Sequence, residues 1–357
     1  MPSILILKTG ALGDVLRTTS LLPGLRALQP EARIEWVTAP AARPLVEGHP
    51  EVTSVHVADP ADEAALAALG DELGGRSWDW VISLDDEEPL CALASALGAE
   101  RLSGAHLGPD GVRTYSADAA PWFDMGLLSH LGKQAADRLK LENQRSHPVI
   151  LAEMLGLAPG RPELALPADA LARAAAVFEG AGDLPRPWIG LNTGAGGRWT
   201  SKQLPEERVV ELVLRLDRER DGRVGFVLLG GPEEAERNAR LRAGLEAAAP
   251  RPSVVDAGVH NDLLQFAGIV DRLDLLLTSD SLALHVAVAR RTPLVAFFAP
   301  TSAAEIELYG LGEKVLSTAP DYASYRPEAD NSSLTPERLS EAVQRVLSGA
   351  HAAEGSR

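Results

Sequence analysis

Four short stretches of this chain combine glycines, small hydroxyls and isolated charges in the way that phosphate and sugar chemistry uses them. The first is Lys8-Thr9-Gly10-Ala11-Leu12-Gly13-Asp14, where Gly10 and Gly13 permit a tight turn and a close approach of backbone to a ligand. Its spacing is neither the phosphate loop ending in Gly-Lys-Ser/Thr nor the dinucleotide pattern Gly-x-Gly-x-x-Gly. Asp14 then stands at a helix start, either as an N-cap satisfying free N–H groups or as a general base, a role worth about 10²–10⁴ in rate. The second stretch is Asn192-Thr193-Gly194-Ala195-Gly196-Gly197-Arg198-Trp199-Thr200-Ser201-Lys202. Its N–H donors and cations suit a diphosphate; the alternative is a flexible glycine loop with a solvated Lys202. In the third, Gly230-Gly231-Pro232-Glu233-Glu234, a glutamate either accepts hydrogen bonds from ribose hydroxyls or answers a helix dipole. The fourth, Thr278-Ser279-Asp280-Ser281-Leu282-Ala283-Leu284-His285, opens a helix whose free N–H groups suit a phosphate. There Asp280 can orient sugar hydroxyls, and His285, one turn in, is either a ligand or a structural histidine.

These stretches need strands and helices to hold them. Short β-rich runs at Ile4 to Leu7, Arg33 to Thr38 and Trp80 to Leu84 alternate with helical sequence, including one helix from about Val15 to Leu28. After a Pro- and Gly-rich passage the alternation restarts. Its strands are Trp188 to Asn192, Val224 to Leu229, Leu273 to Thr278 and Leu294 to Phe298. Its helices are Pro205 to Asp217, Glu233 to Ala248 and Ser281 to Ala289. Apolar strands separated by helices predict parallel sheets covered on both faces, and in such sheets ligands sit beyond the carboxyl ends of the strands. All four stretches leave a strand and enter a helix. The reading is therefore α/β, with two Rossmann-like doubly wound domains over residues 1–168 and 169–349 and a disordered tail over 350–357. Thr335-Pro336-Glu337 reads as the capped start of the last helix.

A chain of 357 residues exceeds the usual size of one hydrophobic core. Its net charge of −16 disfavours nucleic acid as a partner. The single cysteine, Cys91, cannot form an internal disulfide, which fits a cytoplasmic setting. The apolar run at the N-terminus is far shorter than a membrane span, so any membrane contact is expected to be peripheral, at the inner membrane. No His-Glu-x-x-His or Gly-x-Ser-x-Gly spacing occurs. Asp85-Asp86-Glu87-Glu88 reads as a solvated acidic helix start rather than a Mg²⁺ site. Lys133, Arg138, Lys140, Arg145 and His147 read as a solvated basic face rather than a surface for an anionic acceptor or headgroups. No cofactor or metal is called for, and the oligomeric state is open.

The four stretches, in this order, resemble the ADP-heptose:lipopolysaccharide heptosyltransferase family, glycosyltransferase family 9. The likeness is strongest at ILILKTGALGDVLRTTSLLPGLRALQPEARIEWVT, GLNTGAGGRWTSKQLPEERVVEL, VLLGGPEEAERNARL and DLLLTSDSLALHVAVARRTPLVAFFAPTS. It implies the GT-B arrangement, with two domains facing across a cleft. It makes Asp14 the catalytic base on an acceptor side that includes Lys8, Thr9, Gly10 and Gly13. On the nucleotide-sugar side it makes Lys202 a phosphate ligand beside Thr193 and Gly194, and Glu234, with Glu233 as the near alternative, the ribose ligand. Asp280 meets the donor sugar, Ser281, Leu282 and Ala283 face the diphosphate by their N–H groups, His285 closes the motif, and the adenine edge falls near Asn261. Three departures stand out. Leu282 replaces a family glycine, Leu204-Pro205 replaces Trp-Pro, and Asp59 to Glu63 are acidic where lipid-A-directed members are basic. The implied reaction is inverting, metal-independent transfer of heptose from ADP-heptose to a glycan or glycolipid acceptor. Two other readings stay open: a related transferase with another nucleotide sugar or a protein or small-metabolite acceptor, and a non-catalytic nucleotide-sugar-binding protein.

Overall fold

A computed structural model describes residues 1–196 and 199–354. The chain divides into two compact units, Met1–Ala165 with Ala304–Glu307, and Leu166–Ala303 with Leu308–Arg357. The return of four residues to the first unit has no sequence counterpart in a single boundary.

In the first unit, strands β1 (Ser3–Leu7), β2 (Arg33–Thr38), β3 (Ser54–Val57), β4 (Trp80–Ser83), β5 (Arg101–Leu107) and β6 (Arg113–Tyr115) form one sheet. Their order is β3-β2-β1-β4-β5-β6, parallel throughout except for the antiparallel β5–β6 pair. Every residue of β1 and β4 is buried, which is why both read as continuous apolar runs rather than as alternation. The single helix expected from about Val15 to Leu28 is instead two helices, Leu12–Thr18 and Leu22–Leu28, joined by a 3₁₀ turn at Thr19–Leu21. Pro23 lies in the first turn of the second helix, where the missing N–H is harmless; inside a continuous helix it would break the ladder.

The first sheet also holds a buried charge. Glu35 on β2 is 1% exposed, and Arg33 Nε (2.7 Å), Arg76 Nη1 (3.0 Å) and His56 Nε2 (2.6 Å) surround its carboxylate. Burial pushes this carboxyl up, but the hydrogen bonds and charge of Arg76, with His56 and Arg33, outweigh burial and hold it below the usual glutamate value of 4.5. A depressed folded-state value means that the stabilisation is complete above about pH 4.5 and is lost as pH falls through the lower, folded-state value. Thermal melts between about pH 6 and pH 3 should therefore show less acid-induced loss for Glu35→Gln, from a lower starting point, than for the unsubstituted chain. Parallel curves would remove Glu35 from the account.

In the second unit, strands β7 (Trp188–Asn192), β8 (Gly225–Leu228), β9 (Ser253–Asp256), β10 (Leu275–Ser279), β11 (Leu294–Phe298) and β12 (Gly312–Leu316) are all parallel, in the order β12-β11-β10-β7-β8-β9. Counted from its own first strand, each sheet runs 3-2-1-4-5-6, the doubly wound Rossmann order. The connections reverse between β1 and β4, and again between β7 and β10; such a switch point opens a crevice at the carboxyl ends of the strands. Beneath the second sheet, Ile189, Leu191, Phe226, Leu275, Val295 and Phe297 pack with Leu212, Leu216 and Leu339 of the covering helices. Leu204 is buried in this cluster, so the Leu-Pro departure fills core. The last helix, Pro336–Glu354, begins where the cap predicts, with the Arg338 N–H reaching Thr335 Oγ1 at 3.4 Å. It continues past Gly349, where a disordered tail was expected.

Candidate functional site

The crevice between β7 and β10 opens into a cavity of about 540 Å³ built wholly from the second unit. Asn192, Ala195, Gly196, Trp199 and Lys202 line it after β7, Gly230, Gly231 and Glu234 after β8, and Asp280, Ser281, Leu282 and Ala283 after β10. Asn261, Asp262, Leu263 and Phe266 form its remaining wall. Lys202 Nζ donates to the Asp280 carbonyl at 2.8 Å and to its carboxylate at 2.9 Å, and lies 5.4 Å from the centre of the Trp199 ring. Burial raises the Asp280 carboxyl, but the charges of Lys202 and His285 prevail and keep it below the ordinary aspartate range. The Asp280 carboxylate therefore stays ionised, and an ammonium has three N–H bonds to give.

Beside the pair starts the nine-residue helix Leu282–Arg290. Its N-cap residue, Ser281, makes no side-chain cap. The Ser281 hydroxyl instead takes part in a small network, with Asn192 Nδ2 reaching Thr278 Oγ1 (3.1 Å) and Ser281 Oγ (3.3 Å), and the two hydroxyls 3.1 Å apart. That network ties β7 to β10, and it leaves the first helical turn to present N–H groups and the positive end of the dipole to an anion.

Glu234 joins the other two loops. It is 7% exposed, and its carboxylate accepts the Gly196 N–H at 2.8 Å and the Gly231 N–H at 2.9 Å. Glycine is required on both sides: a Cβ at Gly194 would lie 2.4 Å from Glu234 Cγ, and one at Gly230 2.6 Å from Glu234 Cβ. Arg237 braces the same loop from behind, reaching the Thr193 carbonyl and hydroxyl at 3.3 Å and the Leu204 carbonyl.

The first unit repeats this plan at its own switch point. Lys8, after β1, donates to Asp85, after β4, and Asp85 also accepts from Thr9 N and from Thr9 Oγ1, the latter at 2.8 Å. Both charges are buried, with side chains 10% and 5% exposed. Asp85 is therefore no part of a solvated helix start; that description suits only Glu87 and Glu88, which are exposed. Asp14 is the third residue of the helix Leu12–Thr18, whose N-cap is Ala11, so the N-cap reading of Asp14 falls away. Its carboxylate is 39% exposed and pairs with Arg17 Nη2 at 2.9 Å. Gly13 lies within that helix, and a Cβ at Gly10 would meet no protein atom within 4 Å, so the close approach expected at Gly10 is not made by the protein itself.

The chain matches the model of glycosyltransferase family 9 (heptosyltransferase) over residues 66–332. It belongs to glycosyltransferase family 9. No curated protein matches it. Among solved structures, a family 9 glycosyl transferase from Veillonella parvula is similar at TM-score 0.77 and 22% identity, covering 97% of each chain. The E. coli ADP-heptose lps heptosyltransferase II follows at TM-score 0.67 and 18% identity, over 98% of this chain and all of the other. E. coli heptosyltransferase WaaC, solved with ADP-2-deoxy-2-fluoro heptose, has TM-score 0.62 and 19% identity over 96% of this chain and 99% of the other. The two Rossmann-like sheets are thus those of a GT-B-like glycosyltransferase.

Placed on this family 9 fold, Lys202, Glu234, Asn261, Asp280, Ser281, Leu282 and Ala283 share one cavity, whereas Thr193, Gly194, Glu233 and His285 do not line it. Thr193 is turned to Arg237, Glu233 is exposed, and His285 is buried within its helix near Asp280. The Asn261 amide already serves its own loop, giving to the Ala257 and Gly258 carbonyls and accepting from Arg173. Gly197 and Arg198 lie outside the described residues. Arg237 and Phe266 lie outside the four stretches, in runs that read as ordinary helix, and Asn192 and Trp199, though within the second stretch, carried no role of their own in it. The basic stretch also divides. Lys133 pairs with Asp137, Arg145 with Glu153, and His147 is buried against Trp122 rather than solvated. Among the described residues no group of three His, Cys, Asp or Glu side chains could hold a metal, and no helix is long and apolar enough to cross a membrane.

Proposed function

We propose that this chain transfers heptose from ADP-heptose to a hydroxyl of a lipopolysaccharide-core-type glycan, by direct displacement with inversion. The observation that carries the donor half is the Lys202–Asp280 pair beside an uncapped helix start, both lining one cavity with Glu234. In this reading the diphosphate takes the N–H groups of Ser281 to Ala283 and the third N–H of Lys202, Asp280 orients sugar hydroxyls, and Glu234 meets the ribose. Asp14 removes the proton of the acceptor hydroxyl as its oxygen bonds to the anomeric carbon. The bond from that carbon to the β-phosphate oxygen breaks, and ADP leaves with its charge met by Lys202 and the helix start, without a metal ion. The enzyme would work in the cytoplasm, with any membrane contact peripheral. Exposed Asp59, Asp62 and Glu63 favour a second reading of the acceptor alone, as a neutral glycan, a protein or a small metabolite.

The test of the donor half is Lys202→Met. It is expected to lower kcat/KM by about 10²–10³, the usual loss on removing one preorganised donor to developing negative charge. ADP release and calorimetric binding of ADP-heptose report it; an unchanged kcat/KM would remove Lys202 from the donor site. A panel of nucleotide sugars incubated with a cell-envelope extract, with products read by mass, assigns donor and acceptor. A chain that binds ADP-heptose and transfers to nothing in the extract would be a binding protein instead.

A further inference from the structure

The Asp14–Arg17 contact joins residues three apart on one helix, and on an exposed helix such a pair is mobile and weak. Here its cationic half is largely buried and braced from outside the helix. The Arg17 side chain is only 12% exposed, and its guanidinium carbon sits 5.7 Å from the centre of the Trp122 ring, which the helix Ala120–Phe123 supplies from a distant part of the same unit. Trp122 is held in turn by His147, edge to face at 4.9 Å and 87°, and His147 is 3% exposed and anchored through its N–H to the Glu305 carbonyl at 2.9 Å. From the helix side, Thr18 Oγ1 donates to the Asp14 carbonyl at 2.7 Å. Arg17 Nε is buried and finds no acceptor among the described residues. The guanidinium is held where the ring and the carboxylate want it.

We propose that Arg17, laid against the ring of Trp122, is the positioning residue of the Asp14 carboxylate. The proposal rests on Asp14 being the base. A base has to meet the acceptor proton within hydrogen-bond reach, and a displacement of about 1 Å is enough to lower a rate by about 10². The Arg17 fork fixes one carboxylate oxygen at 2.9 Å and so limits how the group can turn on its helix. The Trp122 ring backs the guanidinium, with its centre 5.7 Å from Arg17 Cζ; a lysine keeps the charge but lacks the planar fork.

The test measures ADP released from ADP-heptose in the presence of cell-envelope extract, alongside calorimetric binding of ADP-heptose, for Arg17→Met, Arg17→Lys, Trp122→Ala and Asp14→Asn. Arg17→Met is expected to lower apparent kcat by about 10–10², with donor affinity within about twofold because no donor ligand is touched. Arg17→Lys should recover part of that loss, and Trp122→Ala should lower kcat in the same direction by less than Arg17→Met. A structural role alone would depress kcat, binding and melting temperature together and would not respond to the lysine. If Arg17→Met unfolds the protein, Arg17→Lys carries the test: kcat several-fold low at unchanged donor affinity supports the proposal, and wild-type kcat overturns it. Wild-type kcat in Arg17→Met with an inactive Asp14→Asn overturns the positioning role and leaves the base intact. Wild-type turnover in Asp14→Asn overturns the base itself, and the proposal with it.

Discussion

Asp14→Asn is expected to reduce sugar transfer by about 10²–10⁴, the range that a positioned general base supplies, while ADP-heptose binding stays within about twofold of the unsubstituted protein. The amide keeps the size of the carboxylate and can still hydrogen bond to its surroundings, so folding is largely spared. What it loses is the ability to take a proton. The ion pair with Arg17 at 2.9 Å is lost as well, so a melting curve belongs with the kinetics. The loss must appear in kcat. A raised KM with intact kcat would mean that Asp14 binds acceptor without removing its proton, and unchanged transfer would return the base to some other side chain.

The second large effect concerns stability. Asp85→Ala leaves the buried Lys8 ammonium without its carboxylate, and removes the acceptor for Thr9 N and Oγ1 as well. Breaking one side of a buried pair costs about 3–5 kcal/mol, because the remaining charge keeps its desolvation penalty. For a unit of this size that is a fall of roughly 10 °C in melting temperature, seen by calorimetry or circular dichroism. The double substitution Lys8→Met with Asp85→Leu should regain much of it, since an apolar pair carries no such penalty. If Asp85→Ala melts within about 2 °C of the unsubstituted chain, the pair is not the staple that its burial suggests.

Most of the central strands were legible in the sequence because parallel strands covered on both faces are largely apolar; Arg101–Leu107, which lies between Trp80–Ser83 and Arg113–Tyr115, was not. Arg33–Thr38, Trp188–Asn192 and Leu294–Phe298 run over the residues that their composition marks. The edge strands Ser54–Val57, Ser253–Asp256 and Gly312–Leu316 are half-buried and were not seen. Their residues carry too little apolar contrast to stand out from loop. Turn residues likewise pointed to the loops that line the cavity of the second unit, since glycine clusters between a strand and a helix have few other uses.

Pairings over distance were not legible. Nothing near Lys202 in the sequence announces that its partner is Asp280, or that Arg237 grips the loop before it. Asp85 was misread for the same reason. Four consecutive acids look like a solvated helix start, and only the fold reveals that the first of them faces a lysine some 77 residues earlier. Each unit thus sets a lysine after its first strand against an aspartate after its fourth. In the first unit the pair is sealed; in the second its side chains, 18% and 17% exposed, border the cavity.

The four residues Ala304–Glu307 that rejoin the first unit bear on how the protein is made. On a ribosome the amino-terminal unit can gather its sheet early, but the carbonyl of Glu305 that receives the His147 N–H is synthesised only after nearly all of the second sheet. The bond that anchors His147 under Trp122 therefore waits for the far end of the chain. Until Glu305 arrives, a nascent enzyme holds a nearly finished fold around an acid whose backing is incomplete. A fragment ending at Ala165, or a chimera exchanged at that point alone, would inherit the same unfinished face.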